Sequence, residues 1–163
     1  MPSHHTNGFT LIELLITIAV IGIVAGIGIP AMRGLVVPSA MQAHVTTYAQ
    51  ALHTARHLAV SRGRPVTLCT LDAQQHCSGN WQQHLSLFHD DDRDGTMASA
   101  RDLLLDVVIK GNEDIRVEWR GFGARNYLTA RPNGMWRQNG RFRFCDPQHP
   151  EAGRAIVVNV TGR

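Results

Sequence analysis

The stretch Gly8-Phe9-Thr10-Leu11-Ile12-Glu13, running directly into the apolar residues Leu14–Ile29, constrains this chain more than any other. From Phe9 to Ile29 the polar side chains are Thr10, Glu13 and Thr17. As a helix these ~21 residues rise about 32 Å, enough to cross a hydrocarbon core. A carboxylate in lipid costs at least about 2–3 kcal/mol, so Glu13 points to function rather than to packing. A secretory signal peptide has a shorter apolar region with a small-residue cleavage site behind it. Here the small residue, Gly8, precedes the run, and cutting after it would remove Met1–Gly8 and keep the helix. Glycine lacks a Cβ and so allows close approach of the backbone to a protease. This leader carries His4 and His5 but no Lys or Arg, so it gives no positive-charge signal for orientation.

Beyond Ile29 the sequence predicts more helix, kinked at Pro30 with help from Gly22, Gly26 and Gly28, and bent or briefly broken at Pro38. Met41, Val45, Tyr48, Leu52, Ala55 and Ala59 then recur at spacings of four and three, one apolar stripe of an amphipathic helix ending near Ser61-Arg62-Gly63. That stripe is read as packing on the protein's own sheet. After Gly63 the pattern changes to short β-branched and aromatic runs separated by turn residues. Strands are predicted at Pro65–Leu71, Trp81–His89, Leu103–Ile109, Ile115–Arg120, Asn126–Ala130, Arg141–Cys145 and Arg154–Val160. Turns at Ser78-Gly79-Asn80, Pro132-Asn133-Gly134 and Asn139-Gly140 argue for antiparallel hairpins. The fold class is therefore α+β: a long N-terminal helix, half transmembrane and half amphipathic, packed on antiparallel sheet. The implied organisation is a leader at 1–8, a membrane helix at 9–29, its amphipathic continuation at 30–62 and a β-rich globular domain at 63–163.

Gly-Phe-Thr-Leu-Ile-Glu before such a helix resembles the processing signal of type IV prepilins and type II secretion pseudopilins. The resemblance implies that a prepilin peptidase cuts after Gly8 and N-methylates Phe9. It also implies that Glu13 pairs with the N-terminal amine of a neighbouring subunit, so that other pilins or pseudopilins are partners. Within that superfamily, Ala55-Arg56-His57-Leu58-Ala59-Val60-Ser61-Arg62, Val66-Thr67-Leu68-Cys69, Cys77, Trp81, Phe88-x-Asp90, Phe144-Cys145 and Thr161-Gly162-Arg163 resemble the GspH/FimT group of minor pilins and minor pseudopilins. The match runs essentially the whole chain. It implies a type IV pilin-like fold and a protein held in the bacterial inner membrane by one span, with its C-terminal domain in the periplasm. From there it would enter a pilus or pseudopilus, at the tip or initiating complex.

Three cysteines, Cys69, Cys77 and Cys145, follow the apolar segment. An oxidising compartment allows one disulfide among them. Cys69–Cys77 is favoured by proximity, and pairing of either with Cys145 stays open. The run Asp90-Asp91-Asp92-Arg93-Asp94-Gly95 contains the first half of a calcium-loop pattern, with Asp90, Asp92 and Asp94 at alternating positions. The Glu expected six positions after the glycine is replaced by Arg101, which favours a solvated loop over a Ca²⁺ site. No other cofactor is expected.

The last third is basic. Arg116, Arg120, Arg125, Arg131, Arg137, Arg141, Arg143, Arg154 and Arg163 face only Glu118, Asp146 and Glu151, with aromatics interleaved. Some FimT-type minor pilins bind DNA through arginines near a C-terminal Gly-Arg-x-Arg element. That resemblance makes Arg141, Arg143, Arg154 and Arg163 the candidate DNA contacts. The sequence has Gly162-Arg163 without the distal arginine, which counts against the DNA role. The alternative reading is that alternating arginines form the solvent face of a sheet, with the aromatics in its core. Catalysis is not expected: the nine histidines are scattered, and no nucleophile elbow, phosphate loop or dinucleotide fingerprint is present. His53 and His57 share a helix face at metal-ligand spacing, but without a further ligand they read as polar surface.

Overall fold

The computed structural model describes residues 10–109, 114–123 and 125–162, and of residues 27–37 the backbone alone. Gly8, Phe9 and Arg163 lie outside the described residues. One helix, α1 (Leu11–Arg62), spans 52 residues and is followed by seven strands. These are β1 (Val66–Cys69), β2 (His84–His89), β3 (Leu103–Val108), β4 (Arg116–Gly121), β5 (Leu128–Ala130), β6 (Gly140–Cys145) and β7 (Arg154–Val158). Every predicted strand has its counterpart; β4 is displaced by one residue, β6 begins one residue early, and the other five are shorter than the β-prone runs that announced them. The chain divides into two units, Met1–Val37 and Pro38–Arg163.

In the first unit the helix begins because Thr10 caps it. Its Oγ1 accepts from the Glu13 amide at 3.3 Å, and its carbonyl accepts from Leu14 N at 3.2 Å. Aliphatic side chains then point outward on all sides, from Leu11 (78% exposed) through Leu15 and Ile18 to Val24 (65%). Among the described residues no helix is long and apolar enough to cross a membrane, and the described side chains of this stretch end at Gly26. The expected break at Pro38 does not occur, and Pro30 does not interrupt the helix either. A proline's fixed φ suits a helix; its cost is the amide that would have bonded the carbonyl four residues back, here Gly26 and Gly34.

In the second unit the remainder of α1 does what its stripe predicts. Met41, Tyr48, Leu52, Ala55 and Ala59 are buried, and Val45 is half-buried against the same core. The helix stops where Gly63 takes a left-handed φ of +64°, closing the last turn without a Cβ penalty. Two antiparallel sheets receive it: four strands in the order β3-β2-β1-β5, and three in the order β4-β6-β7. Tyr48 is fully buried, with its ring edge-on to Phe144 (centroids 5.0 Å) and Phe142 (5.4 Å). Its hydroxyl donates to the carbonyl of Trp81. Trp81 in turn packs on Phe142 at 4.9 Å, so one side chain of the helix gathers the aromatic core.

Pro132-Asn133-Gly134 turns as expected, bringing Trp136 back onto Ala130. Asn139-Gly140 does not make a hairpin. Gly140 already belongs to β6, opposite Gly121 and Val158, and β5 and β6 fall in different sheets. Trp81 likewise lies before β2 rather than in it. Both shifts arise because strand partners are chosen over long sequence distances, which turn residues do not encode.

His44 was not foreseen in the core. It is buried on the α1 stripe, and neither ring nitrogen has a hydrogen-bond partner. Burial lowers its pKa from the ordinary value of 6.5, because a charged imidazole there would lose its hydration. A histidine with a depressed folded pKa contributes stability that is present above 6.5 and lost as pH falls through the folded value. Thermal stability of the protein in detergent should therefore decline as pH falls below neutral, and His44→Leu should remove that part of the decline.

Candidate functional site

The first candidate is the start of α1. Thr17 satisfies its hydroxyl within the helix by donating to Leu14 O at 2.8 Å. The Glu13 carboxylate is exposed and has neither a cation nor a hydrogen-bond donor near it among the described residues. An unpaired carboxylate set among exposed Leu11, Ile12, Leu14 and Ile16 is a group awaiting a partner in any apolar setting. Thr10 and Glu13 also complete the Thr-x-x-Glu pattern of a helix start, a signal the sequence carried and that reading for the membrane alone passes over.

The second candidate, the acidic loop, is organised from inside. Asp90 is buried, and its carboxylate accepts from Thr67 Oγ1 at 2.6 Å, Gly95 N at 3.2 Å and Asp94 N at 3.2 Å. Burial pushes the Asp90 carboxyl up from the usual range, while the Thr67 hydroxyl pulls it back. Gly95 has φ +81°, and a Cβ there would come within 2.6 Å of the Tyr127 ring. One oxygen from each of Asp90, Asp92 and Asp94 falls within 4.8 Å of the others. Three internal donors meet the Asp90 oxygens and tie this carboxylate to the protein's own backbone and to Thr67. Outside this trio, Asp91 is held well below the usual carboxylate range by Arg64, whose guanidinium meets it at 2.5 Å. The arrangement is therefore a loop pinned to the sheet by Asp90. Asp90→Ala should destabilise the protein by about 2–3 kcal/mol, and Asp92→Ala by much less, in chemical denaturation.

Cys69 and Cys77 are joined in a disulfide, and Cys145 is free and exposed. The bridge closes a short loop ahead of β2. By loop-closure entropy, replacing both cysteines with alanine should cost about 2–3 kcal/mol, measurable as a lowered denaturation midpoint.

Of the candidate DNA arginines, Arg141 and Arg143 share one face, Arg154 stands apart from them, and Arg163 lies outside the described residues. In β6, Phe142 and Phe144 are buried while Arg141, Arg143 and Cys145 share the outer face. In the neighbouring β4, Arg116, Glu118 and Arg120 lie on that same face, opposite Cys145, Arg143 and Arg141 respectively. Glu118 draws in Arg120 at 3.1 Å and Arg143 at 3.9 Å. Arg116 and Arg141 have no ion pair among the described residues. Arg154 is elsewhere: it sits opposite Phe144, on the core side of β7, and donates to the carbonyls of Ala152 (3.2 Å) and Gly153 (3.0 Å). A 3-10 turn at Pro150–Ala152 precedes β7, whose phase follows from its register on β6 and is not revealed by the sequence pattern. Arg116 and Arg120 were legible as alternating residues, but joining them to β6 needed the strand pairing.

An apolar helix bearing a lone carboxylate near its start, continuing into a helix packed on antiparallel sheets, defines the class of type IV pilin-like subunits. Residues 44–162 match the family described as type II transport protein GspH, and residues 3–29 match the prokaryotic N-terminal methylation motif. The chain belongs to the GspH family. No curated protein matches it significantly. Among solved structures it is similar to the type IV minor pilin FimU of Pseudomonas aeruginosa (strain PAO1) in two crystal forms. The P65 form is 22% identical over 77% of this chain and 87% of that one, with a TM-score of 0.54. The P21 form is 21% identical over 81% and 87%, with a TM-score of 0.53. At these identities the likeness establishes the fold. Family and fold together describe a structural subunit and not an enzyme.

Proposed function

We propose that this protein is a minor pilin or pseudopilin assembled at the tip or initiating complex of a type IV pilus or type II secretion pseudopilus. In this reading a prepilin peptidase cuts after Gly8 and methylates Phe9. The helix Phe9–Ile29 holds the subunit in the bacterial inner membrane, with the globular unit in the periplasm, until it joins the filament core. The observation that carries the reading is the exposed Glu13 carboxylate, unpaired among the described residues within a collar of exposed aliphatics. In lipid such a group is unfavourable, and beside the terminal amine of a neighbouring subunit it is compensated. That difference favours transfer from bilayer to bundle and fixes the register of the transfer. The methylation motif supports the processing step, and the GspH match supports assembly with other pilins.

The alternative, DNA capture during uptake, draws support from Arg141 and Arg143, whereas Arg154 lies away from them and turns one guanidinium nitrogen to the carbonyls of Ala152 and Gly153. The assembly role is the stronger reading. Glu13→Ala should leave cleavage and membrane insertion intact while removing the protein from sheared filaments, followed by immunoblot of membrane and filament fractions. Normal recovery of the variant in filaments would contradict the assembly contact.

A further inference from the structure

We infer that the outer face of the β4-β6-β7 sheet is a docking surface for anionic phospholipid headgroups, used while the subunit is anchored and before it is assembled; the inference rests on the anchoring proposed above. Four arginines stand on this face, Arg116 and Arg120 from β4 and Arg141 and Arg143 from β6, and within these two strands Glu118 is the acidic residue among them. Directly opposed positions lie about 5 Å apart and alternate positions along a strand about 7 Å apart, so the charges form one compact field. Glu118 engages Arg120 and Arg143, and Arg116 and Arg141 are left to interact outward.

The flank of this field is apolar rather than polar. Phe122, two residues beyond Arg120, is 87% exposed, and Val157, opposite Arg141 on β7, is 68% exposed. Guanidinium groups bind phosphate oxygens through paired N–H donors, and a neighbouring aromatic or branched aliphatic side chain partitions into the headgroup boundary. Charge complementarity therefore selects a phosphate-rich surface, and the exposed Phe122 and Val157 select one with an apolar layer beneath its phosphates. A soluble nucleic acid offers no such layer, and Glu118 within the field would oppose a continuous polyphosphate track. The tether decides the source. A unit whose own chain continues into the exposed aliphatic helix of Leu11–Val24 meets headgroups at high effective concentration, so that modest attraction suffices.

Cys145 supplies the probe, because it lies on this face opposite Arg116 and is free, while Cys69 and Cys77 are bonded to each other. The full chain, labelled at Cys145 with a nitroxide or fluorophore, is reconstituted into vesicles of phosphatidylcholine alone or with added phosphatidylglycerol. Accessibility of the label to a water-soluble quencher is then measured. The expected result is several-fold protection in the anionic vesicles, lost at high salt and lost in the Arg116→Gln, Arg141→Gln double variant. Equal accessibility in both lipids would overturn the proposal. So would protection that appears only when an oligonucleotide is added to phosphatidylcholine vesicles, an outcome that would assign the face to nucleic acid. Failure of the chain to co-float with vesicles would reject the anchoring itself and the docking with it, and is distinguished by the flotation step.

Discussion

The globular unit depends on the seat of Tyr48. A helix can lie on a sheet in many registers, and aliphatic contacts alone discriminate poorly among them because apolar attraction is non-directional. Tyr48 removes that freedom. Its ring is wedged edge-on against Phe142 and Phe144, and its buried hydroxyl has a partner in the Trp81 carbonyl. Sliding the helix by a turn would break the aromatic contacts and leave a buried hydroxyl without a partner, a loss of about 1–3 kcal/mol before any cavity is counted. The small residues Ala51, Ala55 and Ala59, buried further along the stripe, bring the helix close to its sheets once that register is set.

The two halves of α1 obey opposite rules. From Pro38 onward, one face is buried in the protein's own core and the other is polar, the ordinary economy of an amphipathic helix. Upstream, aliphatic side chains are exposed all round, and the one acid among them has no partner within the described chain. A helix of that kind leaves its apolar surface uncovered by the rest of the described chain. The continuity of α1 through Pro30 and Pro38 joins these two regimes in one element, although each proline forgoes a backbone bond.

Much of this was legible in the residues. The helical stripe from Met41 to Ala59 and the β-prone runs were explicit because apolar spacing directly reflects which side is buried. Pairing was not legible. Nothing local says that β1 lies between β2 and β5, or that β4 finds β6 across the whole of β5, since those choices are settled by total burial. The site suffered from the same blindness. Asp90 read as one ligand of a surface loop, whereas its Thr67 partner, brought in by β1, turns it inward. Arg154 read as a member of a basic cluster, but the phase of β7 aims it away from Arg141 and Arg143. His44 was passed over because its type is polar, although its position on the stripe placed it among buried residues.

The loop closed by Cys69–Cys77 is also laced to the acidic loop. Cys77 N donates to Gly95 O at 3.0 Å, Met97 N donates to Gln75 O at 2.9 Å, and His76 bridges Thr96. Gly95 is the residue whose amide holds the Asp90 carboxylate. A chain of backbone bonds thus links the bridged loop to a carboxylate that neither sulfur touches. The disulfide and the Asp90 carboxylate are therefore two fastenings of one corner of the fold, joined through the backbone of Gly95.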